Sequence, residues 1–152
     1  MSVAHLIDRV HHTALCVQNF DRMHAFLTGF LGFEVEGERA ERDAPELAIV
    51  TGMAGAHILW ALLRKGSHRI ELFQYLTPVG KTTPPAQSDT GFTHLAFSVS
   101  DVDAIHDAAV AAGHRPISAP QVMRGGVSRV FYLCGPENIV VEFMEFADRR
   151  NA

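Results

Sequence analysis

Two stretches, Arg9-Val10-His11-His12-Thr13-Ala14-Leu15-Cys16-Val17-Gln18-Asn19 and Gly91-Phe92-Thr93-His94-Leu95-Ala96-Phe97-Ser98-Val99-Ser100-Asp101, follow one pattern. Each is a short β-rich run with a valine five residues after a histidine, and each leads into a polar cap and a helical period. After the first, Asn19 or Asp21 caps a helix in which Met23, Phe26, Leu27, Phe30 and Leu31 recur at helical spacing, with Gly32 as the stop. After the second, Asp101 or Asp103 caps a helix with Val102, Ile105, Ala109 and Ala112 inward, and Gly113 ends it. The same order of strand, cap, helix and glycine stop occurs twice.

The halves also close alike. Arg69-Ile70-Glu71-Leu72-Phe73-Gln74-Tyr75 and Ile139-Val140-Val141-Glu142-Phe143-Met144-Glu145 are strand patterns with a carboxylate among apolar residues. A turn signal precedes each, Lys65-Gly66-Ser67 in one half and Gly135-Pro136-Glu137-Asn138 in the other. Further strands are expected at Phe33–Glu38, Ala56–Leu63, Arg115–Ser118 and Ser128–Leu133, whereas Glu46–Met53 fits a short helix or a strand. The reading is α+β: two tandem βαβββ modules, 8–76 and 91–147, joined by a proline-containing linker at 77–90.

Composition narrows the function classes. The 152 residues are 47% hydrophobic and 20% charged, the balance of a soluble globular chain. A net charge of −4 argues against a general nucleic-acid binder. Cys16 and Cys134 lie in apolar runs with no CxxC partner, which fits a reducing cytoplasm. Met1–Arg9 contains Asp8 and no apolar segment of the signal-peptide kind, and no run reaches the length of a membrane span. A cytoplasmic protein without membrane or nucleic-acid partners is expected.

Nine histidines are many for this length, and strand geometry selects among them. Alternate side chains of a strand share a face, so His94, Ala96 and Ser98 point one way and Leu95, Phe97 and Val99 the other. Glu142 shares its face with Val140 and Met144. Curved sheets bring His12, Glu71, His94 and Glu142 toward one concave space, as a mixed nitrogen and oxygen donor set. Such a set suits divalent zinc, nickel, cobalt, manganese or iron, which would also offset the cost of burying two carboxylates. Taken singly, a strand-borne histidine is more often a hydrogen-bonded or surface residue than a ligand. His11 is expected on the face opposite His12, and His24 and His106 on the solvent sides of their helices. His5 lies in a terminal arm, His68 and His114 follow turns, and His57 opens a strand. Trp60, Phe97, Phe131 and Tyr132 are pocket walls or plain core.

With these residues in view, the chain resembles the vicinal oxygen chelate superfamily, which includes glyoxalase I, methylmalonyl-CoA epimerase, extradiol dioxygenases and bleomycin-resistance proteins. The resemblance spans about residues 8–147 and rests on His12–Val17, Phe26-Leu27-Thr28-Gly29-Phe30-Leu31-Gly32-Phe33, Ile70-Glu71-Leu72, Thr93–Asp101 and Val141-Glu142-Phe143. It implies curved mixed sheets around a metal-binding cleft, with His12, Glu71, His94 and Glu142 matching the ligand positions one by one. Glyoxalase I resembles this His/Glu/His/Glu set, whereas epimerases usually carry glutamine at the position of Glu71. No basic cluster matches the glutathione-carboxylate contacts of glyoxalase I, and the segment after Glu71 is closer to epimerase-like members.

The resemblance implies a metal-dependent lyase or isomerase of glyoxalase-I or epimerase type, acting on a small 2-oxo or thioester-linked substrate. Proton transfer would pass through a metal-stabilised enediolate, with Glu142 as the first choice of catalytic base and Glu71 the second. His12 and His94 would be ligands only. A homodimer is the implied assembly. The rival readings are a non-haem iron dioxygenase of extradiol type, and a non-catalytic protein that binds a small molecule or drug.

Overall fold

A computed structural model describes residues 2–84, 86–91 and 94–147. Met1, Pro85 of the linker, and Phe92 and Thr93 of the second repeated stretch lie outside the described residues. The chain divides into two compact units, Met1–Thr82 and Thr83–Ala152.

In the first unit the elements run β1 (Thr13–Cys16), α1 (Phe20–Ala25), β2 (Glu34–Arg42), α2 (Pro45–Thr51), β3 (His57–Lys65) and β4 (His68–Thr77). The sheet order is β1-β4-β3-β2, with β1 parallel to β4 and the other pairings antiparallel. The second unit contains β5 (His94–Ser98), α3 (Val102–Ala111), β6 (Arg115–Pro116), β7 (Gln121–Met123), β8 (Ser128–Cys134) and β9 (Val140–Phe146). Its order is β5-β9-β8-β6, β7 also pairs with β8, and β5 runs parallel to β9. The fold is therefore α+β, with two curved mixed sheets of one design.

Period-two burial sets the faces. Ala61 and Leu63 of β3 and Ile70 and Leu72 of β4 are fully buried, beneath an α1 that buries Phe20 and Met23. Trp60, Glu71 and Phe73 occupy the opposite, half-buried face. In β9, Val141, Phe143 and Glu145 are buried, while Glu142 and Met144 alternate with them on the other side.

Helices α1 and α3 start as their sequences dictate. The side chain of Asn19 accepts the Arg22 N–H at 3.0 Å, and that of Asp101 accepts the Ala104 N–H at 2.8 Å. The α1 turns widen over Phe26–Phe30, where Thr28 Oγ1 donates to the His24 carbonyl, and Gly32 closes the segment at φ +68°. The ambiguous run Glu46–Met53 is helical, since Pro45 fits a first turn and Gly52 takes the left-handed stop. Three expected inward positions differ, Ile105 of α3 among them, which is only half-buried. Ala112 is exposed because it caps α3 instead of lying within it, and Phe30 is only half-buried.

A second pair of caps repeats across the units. Gln74 Oε1 accepts the Phe20 N–H and Glu145 Oε2 accepts the Val102 N–H, both at 3.0 Å. Each acceptor stands three residues after Glu71 or Glu142, and each serves the first N–H of its unit's helix. Glu145 is 5% exposed, so Glu145→Ala would strand a buried N–H, at a cost of about 1–3 kcal/mol in denaturant unfolding. Glu145→Gln, which installs the acceptor used by the first unit, is expected to lose much less.

Candidate functional site

The parallel pairing of first and last strands brings each histidine to its carboxylate. Ala14 is opposite Glu71 and Ala96 is opposite Glu142, so the residue two before each alanine leans over the glutamate on the same face. His12 Nε2 lies 3.2 Å from Glu71 Oε2, and His94 Nε2 lies 3.2 Å from Glu142 Oε2. The four predicted ligands thus form two like pairs, one in each unit. Among the described residues no group of three or more His, Cys, Asp or Glu side chains is gathered to hold an ion.

Each pair has the spacing of adjacent ligands. Zinc–nitrogen and zinc–oxygen bonds of about 2.0–2.2 Å place neighbouring donors roughly 3.0–3.4 Å apart. The glutamates are less buried than their apolar neighbours suggested. The Glu71 side chain is 27% exposed and that of Glu142 15%, because both occupy the sheet face away from the core. The buried carboxylate is Glu145, whose work is capping.

The surroundings of the pairs differ. Glu71 Oε1 accepts the Trp60 indole N–H at 2.7 Å. Tyr132 stands opposite Glu142 in the β8–β9 ladder, and its ring lies 5.3 Å from that of His94. Burial, and then the Glu142 charge, push the Tyr132 phenol above its ordinary pKa. Tyr75 is raised likewise by burial, then by Cys16 and Glu71. Both phenols are therefore neutral hydroxyl donors near pH 7.

His11 departs from the expected alternation, its Nδ1 lying 2.9 Å from His12 Nδ1. Both residues precede the first paired residue of β1, so no pleat separates them. When His12 Nδ1 carries its proton and donates to His11, Nε2 keeps the lone pair that a ligand needs. Sequence spacing gave no signal for this contact.

Two of the other histidines serve packing. His24 stacks on Phe20, and His106 meets the Phe131 ring edge-on at 5.3 Å, so both are half-buried and not turned to solvent. His57 Nε2 lies 3.0 Å from Glu41 Oε2. Burial lowers the His114 pKa. Of the aromatic candidates, Phe97 stacks on Phe143, while Phe131 and Tyr132 line a cleft of about 260 Å³ in the second unit. Ile117, Val130, Arg124 and Glu142 also border that cleft.

Comparison with known proteins bears on the family and the fold. Residues 11–132 match the family model described as the Glyoxalase/Bleomycin resistance protein/Dioxygenase superfamily. A 2-epi-5-epi-valiolone epimerase from an Actinomyces species is 33% identical over 123 residues, covering 77% of this chain and 66% of that protein. The uncharacterized protein YwkD of Bacillus subtilis is 32% identical over 100 residues, covering 64% of this chain and 66% of its own length. The chain thus spans just under two thirds of the length of these curated relatives. Among solved structures, a glyoxalase family protein from Bacillus cereus aligns with a TM-score of 0.79 at 24% identity, over 92% of this chain and 95% of its own. Glyoxalase I from Zea mays aligns at 0.65 and 22% identity, over 91% of this chain and 47% of its own. At these identities the structural likeness establishes the fold. No helix among the described residues is long and apolar enough to cross a membrane.

Proposed function

Because the chain belongs to the Glyoxalase/Bleomycin resistance protein/Dioxygenase superfamily, we propose that it is a metal-dependent isomerase or lyase. In this reading it moves a proton beside the carbonyl of a small 2-oxo or thioester-linked substrate. The observation that carries the reading is the repeated His–Glu pair, at 3.2 Å in both units. The proposed ligands are His12, Glu71, His94 and Glu142, and the ion is divalent zinc, nickel, cobalt, manganese or iron. The epimerase relative supports an isomerase type.

When bound, such an ion supplies Lewis-acid stabilisation of the negative charge that develops on the carbonyl oxygen. Glu142 takes the proton from the neighbouring carbon and returns it to that carbon or the adjacent one, ending unchanged. Tyr132 offers a neutral hydroxyl donor at the same cleft. The apolar walls from Ile117, Val130 and Phe131 suit an uncharged substrate body, and about 260 Å³ is smaller than the usual drug-sized pocket.

The test is solvent exchange. Small 2-oxo compounds and thioesters incubated in D2O with metal-loaded protein are expected to gain deuterium beside the carbonyl, read by proton NMR. Chelation is expected to stop the exchange. Equal exchange with and without chelator contradicts the metal-dependent reading.

A further inference from the structure

We propose that Trp60 positions Glu71: its indole N–H holds Oε1, so that Oε2 alone is presented beside His12. The role rests on the reading of Glu71 as an ion ligand. The indole nitrogen donates to Oε1 at 2.7 Å, while Oε2 lies 3.2 Å from His12 Nε2, so the two oxygens have separate partners. Rotation of the carboxylate would break both contacts together.

The indole is itself held in place. The Arg42 guanidinium lies 3.5 Å from the centroid of the Trp60 ring, which suits a cation over a π face. On the neighbouring strand β2, Gly37 sits where the β2–β3 register shifts, and a Cβ there would fall 2.5 Å from Trp60 Cη2. Only a residue without a side chain leaves room for the ring. A tryptophan in plain packing needs some acceptor for its N–H. Here the acceptor is the carboxylate already paired with His12.

Comparison of the units sharpens the assignment. Trp60 is opposite Phe73, two residues beyond Glu71, and Val130 is opposite Met144, two residues beyond Glu142. The position that supplies an N–H to Glu71 supplies only methyl groups near Glu142. Among the described residues no N–H or O–H is hydrogen-bonded to Glu142 Oε1. The repeat is thus broken at this position: Glu71 Oε1 has an indole partner that the corresponding residue Val130 does not offer to Glu142.

The test uses the full chain and its single tryptophan. In 15N-labelled metal-free protein, the one indole N–H resonance is expected to be slow to exchange. It should move downfield-to-upfield and lose protection in Glu71→Ala, but not in Glu142→Ala. Calorimetric titration with Ni2+ is expected to show about 10- to 100-fold weaker binding in Trp60→Phe, the usual loss on removing a partner of a ligand. In a Glu71→Ala background, Trp60→Phe should cause no further loss. An indole resonance unaffected by Glu71→Ala, or losses that multiply in the double variant, overturns the role of Trp60. Wild-type protein that binds no divalent ion overturns the ion reading and this role with it. Thus the first failures strike Trp60 alone, and the last strikes the proposed function.

Discussion

Glutamine in place of Glu142 is expected to slow deuterium exchange by about two to four orders of magnitude, the usual contribution of a positioned general base. The amide has nearly the shape of the carboxylate but cannot accept a proton at neutral pH. Glu142 is suited to the task by its surroundings. One oxygen faces His94, and the side chain borders the cleft with Tyr132. Glu71→Gln is expected to reduce exchange less at saturating metal, because in this account Glu71 is a ligand and not the base. Exchange rates for both variants at saturating metal check this directly. A larger loss from Glu71→Gln than from Glu142→Gln reverses the assignment of base and ligand.

The largest effect on stability is expected at Phe131. It is 1% exposed, stacks on Phe143 with ring centres 5.1 Å apart, and receives the edge of His106 from α3. Alanine there removes the ring from between the β8–β9 ladder and the helix, at a cost of about 3–5 kcal/mol. For a chain of this size that corresponds to a Tm lower by about 6–20 °C, measured by circular dichroism. Phe131→Leu keeps most of the volume and should lose far less. Because Phe131 also lines the cleft, the alanine variant is expected to slow deuterium exchange of the 2-oxo compounds and thioesters even below its Tm.

Much of this architecture was legible in the chain because the same pattern is written twice. A histidine near the start of a parallel strand and a glutamate in its partner strand needed only period two to share a face. That is how the structure places both pairs. Asn19 and Asp101 were readable as caps for a local reason, since a cap acts within three residues of itself.

What escaped the sequence depends on distant strands meeting in a particular register. The Trp60 contact needs β3 beside β4 and an irregularity at Gly37 on β2. The capping by Gln74 and Glu145 links the helix of each repeat to the last strand of its unit, and its only trace is a polar side chain three residues after each glutamate. His11 escaped because the pleat that separates neighbours begins only at Thr13. The run Glu46–Met53 had no period to separate helix from strand, and its Ile49 and Val50 are exposed, at 80% and 84%.

The central proposal is that His12, Glu71, His94 and Glu142 are all ion ligands, and metal binding by single-ligand variants tests it most directly. Metal-free wild-type protein, His12→Ala and His94→Ala would be titrated with Ni2+ and their bound metal measured after gel filtration. The account predicts one ion retained by wild-type protein and loss of that ion in both variants, with each variant still folded. Retention of the ion with unchanged affinity in either variant contradicts it.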